Sequence, residues 1–319
     1  MKIRWKLLLL LLAIAMTPMA VTAVLHRTWT RRLGDHLAAQ TRNALTENAR
    51  QHLLARVDDY GRILRRDKRA LEQALIIQAR EVERRLAAPP PPSPRIILSQ
   101  DYDNGVNLPA DLAPSKKHFR KGPDGKLTPI PVTYTQQVYF LAASADRKRA
   151  NEDMARLSTM PEVYRFLYEP NADLIYWQYT GLESGLHSCY PGHGGYPSNY
   201  DPRLRQWYKE ARDSGELTWL PPASEVSTRT ITLSLSIPVH HPDGTFAGVT
   251  AIDVPLVGIF KELKLPARWS AHAETAIVVY TKDKADQTPR PYILARQRYE
   301  GHNQNWQQVF ELEVLKSDD

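Results

Sequence analysis

The sequence predicts an α+β protein with one membrane-spanning segment near its amino terminus. Residues 7–25 are an apolar run without charge, residues 28–88 contain no proline, and stretches rich in β-branched and aromatic residues begin near residue 138. An uncharged run of 19 residues is long enough to cross a membrane. Because the long helical stretch precedes the strand-like ones instead of alternating with them, an antiparallel sheet with segregated helices is favoured.

The amino-terminal 27 residues are predicted to be a cytoplasmic tip followed by the membrane anchor. Lys2, Arg4 and Lys6 precede the apolar run, and further arginines follow it, so charge alone does not determine the orientation. A signal peptide cleaved near residues 21–23 is the alternative interpretation. The apolar run exceeds the roughly 7–15 residues of such a peptide, which favours an uncleaved anchor.

Residues 28–88 are predicted to form one long helix that the proline run at residues 89–92 ends. Its apolar residues follow a spacing of three and four, at Leu53, Val57, Tyr60, Leu64, Leu71, Leu75 and Val82. A helix with so narrow an apolar stripe is not stable alone. We expect it to pack on the globular part and to form a homodimer with a second copy; a simple two-stranded stalk is the alternative.

The composition fits a folded protein that does not bind nucleic acid. Hydrophobic residues make up 42% of the chain and charged residues 24%, which is typical of globular domains. The pI is about 9.3, but the basic excess lies in residues 1–88, where it fits membrane attraction and solvated helix faces. Cys189 is the sole cysteine of the sequence, which excludes an intrachain disulfide and a cysteine-based metal site.

The globular part contains two segments that predict an antiparallel hairpin. Thr230–Ile237 alternates apolar and hydroxyl residues, residues 241–244 form a turn signal, and Phe246–Val254 returns as a strand. We expect the Ile and Leu side chains of the first strand to pack on the core and the long helix, while its Ser and Thr side chains border a pocket. Other predicted elements are strands at 138–143, 174–179, 275–280 and 291–295, helical pieces within 146–168, and a helix at 202–212 capped by Asp201.

Five residues form the candidate ligand site: Tyr200, Arg205, Trp207, Tyr208 and Asp253. An arginine binds a carboxylate through two parallel hydrogen bonds and keeps its charge when desolvated. An aspartate accepts hydrogen bonds from an ammonium group, and aromatic rings add apolar contact and cation–π attraction. The pattern therefore predicts a site for a small zwitterion.

These residues, at this spacing, resemble the amino-acid-binding motif of the extracytoplasmic double-Cache sensor domains of bacterial transmembrane receptors. The resemblance covers about residues 130–260 and includes the segments Ser184–Leu186, Tyr190–Gly194 and Tyr200–Arg203. It implies that Arg205, Tyr200 and Trp207 hold the ligand carboxylate, and that Tyr208 and Asp253 hold its amino group. Pro222 and Ser224 depart from the family pattern, which has a Tyr and an Asp in that loop; this leaves the ligand class open.

The resemblance also implies a domain organisation. Residues 89–255 would be the membrane-distal, PAS-like ligand-binding lobe outside the cytoplasm, in the periplasm. Residues 256–319 would begin a second, PAS-like and apparently truncated membrane-proximal lobe. The Tyr-Pro-Gly-His-Gly-Gly segment at 190–195 is similar to sensors joined to sigma-factor-regulating serine phosphatases.

The function expected from these observations is that of a membrane-anchored sensor for an amino acid or a related zwitterion. Three alternatives remain: a ligand-free dimerising fragment, a sensor for an amine, carboxylate or purine, and an enzyme with an unrecognised site. Neither a Gly-x-Ser-x-Gly elbow nor a phosphate-binding glycine loop occurs, so no catalysis is predicted. No cofactor is predicted, and no metal, because the spacings of His187, His193 and Asp201 match no known metal site.

Overall fold

The computed structural model describes residues 3–122, 125–261, 275–282, 288–296 and 313–314. It has the predicted α+β architecture. The helices are α1 (Ile3–Ala87), α2 (Ser99–Asn104), α3 (Arg147–Leu157), α4 (Met160–Tyr168), α5 (Gln206–Ser214) and α6 (Leu256–Lys261). The strands are β1 (Ala113–Lys121), β2 (Leu127–Val132), β3 (Val138–Leu141), β4 (Trp177–Leu182), β5 (Leu186–Tyr190), β6 (Thr218–Trp219), β7 (Ala223–Ser224), β8 (Ile231–His240), β9 (Phe246–Pro255), β10 (Ala276–Lys282), β11 (Pro289–Arg296) and β12 (Glu313–Val314).

The chain divides into two compact units, residues 1–63 and 64–319. In the first unit, residues 3–63 belong to α1, and nearly all of their side chains are exposed within the unit. The helix contains a charge-poor window that is long and apolar enough to cross a membrane. The long helix predicted from the sequence is confirmed, and it ends at Ala87, two residues before the first proline of the 89–92 run.

The second unit is built on a seven-stranded antiparallel sheet in the order β3-β5-β4-β9-β8-β6, with β7 also paired to β8. The last turns of α1 pack with α3 and α4 on one face of this sheet. The buried residues of α1 recur at helical spacing, at Leu71, Ala74, Leu75, Gln78, Ala79, Val82 and Leu86. The opposite face carries a second cluster dominated by tyrosine and tryptophan.

Strand β4 shows how the sequence assigns side chains to the two faces. Trp177 and Tyr179 belong to the aromatic cluster, whereas Gln178 and Thr180 bond to residues of the helical layer. Successive side chains of a strand point to opposite faces, so a single strand contributes to both layers. All six residues of β4 are buried, which places the strand at the centre of the fold.

A buried glutamine ties α1 to the two central strands. Gln78 is fully buried and donates from Nε2 to the Thr250 hydroxyl at 2.7 Å and to the Ala251 carbonyl at 3.1 Å. Its Oε1 accepts from Gln178 Nε2 at 3.0 Å. Because hydrogen bonds are directional, this side chain fixes the register of α1 against β4 and β9.

Replacing Gln78 with leucine is expected to destabilise the second unit by about 2 kcal/mol, because Gln178 is left without its partner in the core. In thermal unfolding of the full chain in detergent micelles, the midpoint should fall by about 4–8 °C. Gln73→Leu is the matched control, since Gln73 lies on the same helix but is exposed. Equal midpoints for the two variants would contradict a structural role for the Gln78 bonds.

The structure corrects two of the predicted elements. The helix predicted at 202–212 is interrupted: Pro202–Leu204 form a 3₁₀ turn capped by Asp201, Arg205 is extended, and α5 begins at Gln206. The strand predicted at 174–179 runs instead from Trp177 to Leu182, because residues 174–176 lead into the sheet from the preceding turn. Strands β1, β2 and β5 were not predicted; the first is rich in lysine and the last is buried on both faces, so neither shows clear alternation.

Strands β10, β11 and β12 form a separate three-stranded antiparallel sheet. The strands predicted near 275–280 and 291–295 are therefore confirmed, with slightly different bounds. The rest of the predicted membrane-proximal lobe, residues 262–274, 283–287, 297–312 and 315–319, lies outside the described residues. The boundaries assigned to the four segments and the interpretation of this lobe as truncated stay predictions.

Candidate functional site

A small buried cavity lies against the aromatic face of the central sheet. It has a volume of about 40 Å³, which is room for the centres of a few water molecules. The residues that line it come from strands β4, β5 and β9, from the segment before α5 and its first turn, and from the loop after β7. They are Trp177, Tyr179, His187, Cys189, Tyr196, Tyr200, Arg205, Trp207, Glu225, Val226 and Asp253.

Cross-strand register brings the sheet residues of the cavity together. Tyr179 of β4 is paired with Cys189 of β5, and Trp177 of β4 is paired with Asp253 of β9. On the other side of β9, Asp253 is paired with Ser234 of β8. Directly paired residues point to the same face of a sheet, so one aromatic and polar surface extends across four strands.

Arg205 reaches this surface because the chain is extended between the 3₁₀ turn and α5. Its backbone has φ −77° and ψ 148°, and Asp201 caps the preceding turn by accepting from the Arg203 N–H at 2.9 Å. Gly181 of β4 allows this segment to approach, since a Cβ there would lie 2.8 Å from side-chain atoms of both Pro202 and Trp207. The break that the sequence did not predict therefore positions the guanidinium at the cavity.

Asp253 is the acid that the sequence predicted at the end of a strand. Its Oδ1 accepts from the Tyr179 hydroxyl at 2.7 Å and from the Ser234 hydroxyl at 2.6 Å. Burial raises the pKa of this carboxyl group to about 7, and the charge of Glu225 acts in the same direction. The two hydroxyl donors and the Arg205 charge oppose the shift. Its charge near neutral pH thus depends on what occupies the cavity.

Glu225 is a second acid on the cavity that the sequence analysis missed. Its carboxylate accepts from the backbone N–H groups of Ser227 at 2.9 Å and Thr228 at 2.7 Å, and from the hydroxyls of both residues. These bonds fold the loop so that Glu225 and Val226 face the cavity. Pro222 and Ser224, which depart from the family pattern, are buried and do not line the cavity.

The remaining wall is aromatic and uncharged. The His187 ring lies 5.3 Å from Tyr196, 5.1 Å from Tyr200 and 6.3 Å from Trp207. Burial lowers the pKa of His187 to about 3, so its imidazole is neutral at physiological pH. Alternating aromatic residues at 177 and 179 were the sequence signal that could have identified part of this wall.

Tyr208 is the candidate residue that the structure does not place on the cavity. It is buried, and its ring contacts Trp207 at 5.7 Å and Phe246 at 5.9 Å between centroids. Tyr200, Arg205, Trp207 and Asp253 all line the cavity. Four of the five predicted residues are thus brought together, whereas Tyr208 supports Trp207 from behind.

The three residues considered for a metal do not converge. His187 lines the cavity, His193 stacks on Trp177 with centroids 4.1 Å apart, and Asp201 binds Arg203. Among the described residues, no group of three or more His, Cys, Asp or Glu side chains could hold a metal ion.

Comparison with known proteins gave no match to a protein-family model. Solved structures similar to parts of the chain are ligand-binding domains of amino-acid chemoreceptors, which are of the double-Cache type. One is PctB of Pseudomonas aeruginosa PAO1 with L-Gln, at 24% identity over 46% of this chain and 55% of that chain, TM-score 0.34. Another is CtaA of Pseudomonas fluorescens with L-valine, at 25% identity over 43% and 57%, TM-score 0.32. A third is PctC of P. aeruginosa PAO1 with GABA, at 23% identity over 42% and 79%, TM-score 0.30.

The chain spans about half the length of the first of these domains. None of the three TM-scores reaches 0.5. The similarity to sensors joined to serine phosphatases stays a prediction.

Proposed function

We propose that the chain is the ligand-binding sensor of a transmembrane receptor and that the buried cavity binds an amino acid or a related small zwitterion. The supporting observation is that Arg205 and Asp253 border the same cavity. An arginine and an aspartate on one desolvated cavity match the carboxylate and the ammonium group of an amino acid. The protein acts by binding and not by catalysis.

The aromatic wall supports the same ligand. Trp177, Tyr179 and Trp207 line the cavity, and all three are buried. Charge–charge contacts strengthen when solvent is removed, and an ammonium group is further attracted by ring faces. A zwitterion that satisfies both charged side chains avoids the cost of leaving either one buried without a partner.

The balance of charge on the cavity favours ligands that carry a positive charge. Arg205 is opposed by two acids, Glu225 and Asp253. A second ligand carboxylate would have no cationic side chain among the described cavity residues. We therefore expect monocarboxylic amino acids to bind more tightly than dicarboxylic acids, acetate or uncharged purines, which share one or neither of the matching groups.

The small volume means that binding requires the walls to separate. A cavity of about 40 Å³ holds water but not an amino acid with a side chain. The walls outside the central sheet are the segment with Tyr200, Arg205 and Trp207 and the loop of Glu225 and Val226, so opening would move one of these two segments away from the sheet. A ligand that stabilises the open arrangement shifts the protein toward it, and Gln78 transmits a shift of β4 and β9 to α1 because it is bonded to both strands.

The receptor would be anchored in the cell membrane by the apolar part of α1, with its amino terminus in the cytoplasm and the second unit in the periplasm. The apolar window near the amino terminus supports the anchor. Exposed apolar side chains of the first unit, including Leu33, Leu37 and Leu45, support a homodimer that forms through this helix.

Calorimetric titration of the full chain in detergent micelles tests the proposal. Glycine, L-alanine, L-glutamine, ethylamine, acetate and adenine are titrated separately into the wild-type protein. We expect saturable binding of at least one amino acid, with weaker binding of ethylamine and acetate. Binding by none of these six compounds would refute the amino-acid sensor and leave the ligand-free dimerising module as the better account.

A further inference from the structure

A second cavity lies beside the β1–β2 hairpin and shares no lining residue with the first. Its volume is about 430 Å³, within the range of roughly 300–1,000 Å³ typical of small-molecule sites. The residues that line it are Tyr102, Asp103, Leu112, Arg120, Gly122, Thr128, Pro129, Ile130, Pro131 and Gly194.

The glycines of the 190–195 segment let three polar side chains approach this cavity. A Cβ on Gly192 would clash with the Tyr102 hydroxyl, one on Gly194 with the Asp103 carboxylate, and one on Gly195 with the Arg120 guanidinium. Tyr102 and Asp103 come from α2, and Arg120 comes from β1. None of these glycines lines the first cavity. Their lack of a side chain leaves room for the polar groups beside the second cavity.

Arg120 provides a cation for this cavity. Its Nε donates to the Ser227 carbonyl at 2.8 Å, and the described residues include no carboxylate paired with it. Its charge also contributes to lowering the pKa of Arg229, although burial is the larger cause. The guanidinium nitrogens other than Nε are therefore available for an anion.

Tyr102 provides a hydroxyl that lacks a partner. Its oxygen is buried and has no hydrogen bond within the described part of the chain, which is unfavourable unless a ligand or water supplies one. Burial raises the pKa of Tyr102, so the hydroxyl stays protonated and can donate. An acceptor on a bound molecule would satisfy it.

The rest of the wall is mainly apolar. Leu112, Pro129, Ile130 and Pro131 line it, and Ile130 is buried in the aromatic cluster. An apolar wall with a few converging polar groups is the usual composition of a ligand site. We propose that this cavity is a second ligand site that binds a monocarboxylic acid with an apolar body, the carboxylate lying on Arg120 and Tyr102 and the body against Ile130 and the two prolines.

Benzoate is a suitable probe for this site, with benzyl alcohol as its neutral analogue. Binding is measured by calorimetry on the full chain of 319 residues in detergent micelles. Arg120→Gln removes the cation, and Thr128→Trp fills the cavity while leaving Arg120 in place. The matched controls are Lys116→Gln on β1 and Leu127→Trp on β2, since both residues are exposed and do not line the cavity.

We expect benzoate to bind equally well to the wild type, to both controls and to Arg205→Ala. Each of these proteins should bind benzyl alcohol more weakly than benzoate. Arg120→Gln and Thr128→Trp should each weaken benzoate binding by at least about tenfold. No saturable binding to the wild type, or wild-type affinity in either Arg120→Gln or Thr128→Trp, would overturn the proposal. Loss of benzoate binding in Arg205→Ala would show that benzoate binds in the first cavity. That result would also overturn the proposal of a second site, without bearing on the proposed amino-acid site.

Discussion

Arg205→Ala is expected to abolish measurable binding of amino acids to the first cavity. Removing one member of a buried charge pair costs about 2–5 kcal/mol, which corresponds to a loss of affinity of roughly 30-fold to several thousand-fold. The loss is large because the ligand carboxylate would be desolvated beside Glu225 and Asp253, which line the same cavity, without the cation that offsets them. Calorimetric titration with the best amino acid from the screen gives the dissociation constant.

Two further variants make the Arg205 result specific. Arg212→Ala is the control: Arg212 lies on α5, directly after Arg205, but is solvent-exposed and paired with Asp213, so its removal should leave affinity unchanged. Arg205→Lys keeps the charge and loses the paired geometry, so its affinity should lie between wild type and Arg205→Ala. If Arg205→Ala binds as tightly as Arg212→Ala while both unfold at the wild-type temperature, the guanidinium is not a ligand contact.

Arg205 and Asp253 could be predicted as site residues because the sequence motifs around them are recognisable along the chain. Arg205 and Asp253 lie in segments with strong local patterns, a proline-capped turn and an apolar strand. Their convergence depends on the register of β4 with β9, which the sequence does not specify. The break at Arg205 was not predicted because Gln206–Ser214 continues a helical pattern and the interruption depends on packing against Gly181.

Glu225 could not be predicted because its position depends on a loop without periodicity. The carboxylate accepts the N–H groups of Ser227 and Thr228, an arrangement that a capping acid in any surface loop could also make. Its approach to the cavity follows from the pairing of β7 with β8. Strand pairing between distant segments, and not local propensity, therefore places this second negative charge on the cavity.

The second cavity could not be predicted either, because residues distant in the sequence form it. The glycines at 192, 194 and 195 belong to a segment that resembles a family of sensors, but the physical reason for them is close contact with Tyr102, Asp103 and Arg120. Those partners lie about 70–90 residues earlier in the sequence. Strand β1, which carries Arg120, is basic and has no clean alternation, so nothing local indicated that it forms a wall.

Asp253→Asn is expected to change how stability depends on pH. The carboxyl group has a pKa of about 7 in the folded protein against an ordinary 3.8. Between these values the folded state binds more protons than the unfolded state, so this group's contribution to the free energy of unfolding falls as pH rises from about 4 to 7. The fall is at most about 4 kcal/mol. Without ligand, the asparagine variant should therefore be more stable than wild type near pH 8, with the difference shrinking toward pH 4.

The comparison of the two proteins isolates this carboxyl group, because other buried groups titrate equally in both. His187, for example, has a pKa lowered to about 3 by burial, which makes both proteins lose stability in acid. Urea unfolding of the full chain in micelles at several pH values measures the difference. A difference that does not change with pH would show that Asp253 does not titrate in this range.

Ligand affinity should show the opposite trend with pH in the wild type. An ammonium group binds the ionised carboxylate, so affinity for amino acids is expected to rise as pH increases through about 7. In Asp253→Asn this rise should disappear and the affinity near pH 8 should fall by about 2 kcal/mol or more, whereas a ligand such as acetate should lose little. If acetate and amino acids both keep their wild-type affinity, Asp253 only holds Tyr179 and Ser234 in place and does not contact the ligand. Because Asn can still accept the Tyr179 and Ser234 hydrogen bonds, the substitution separates these two roles.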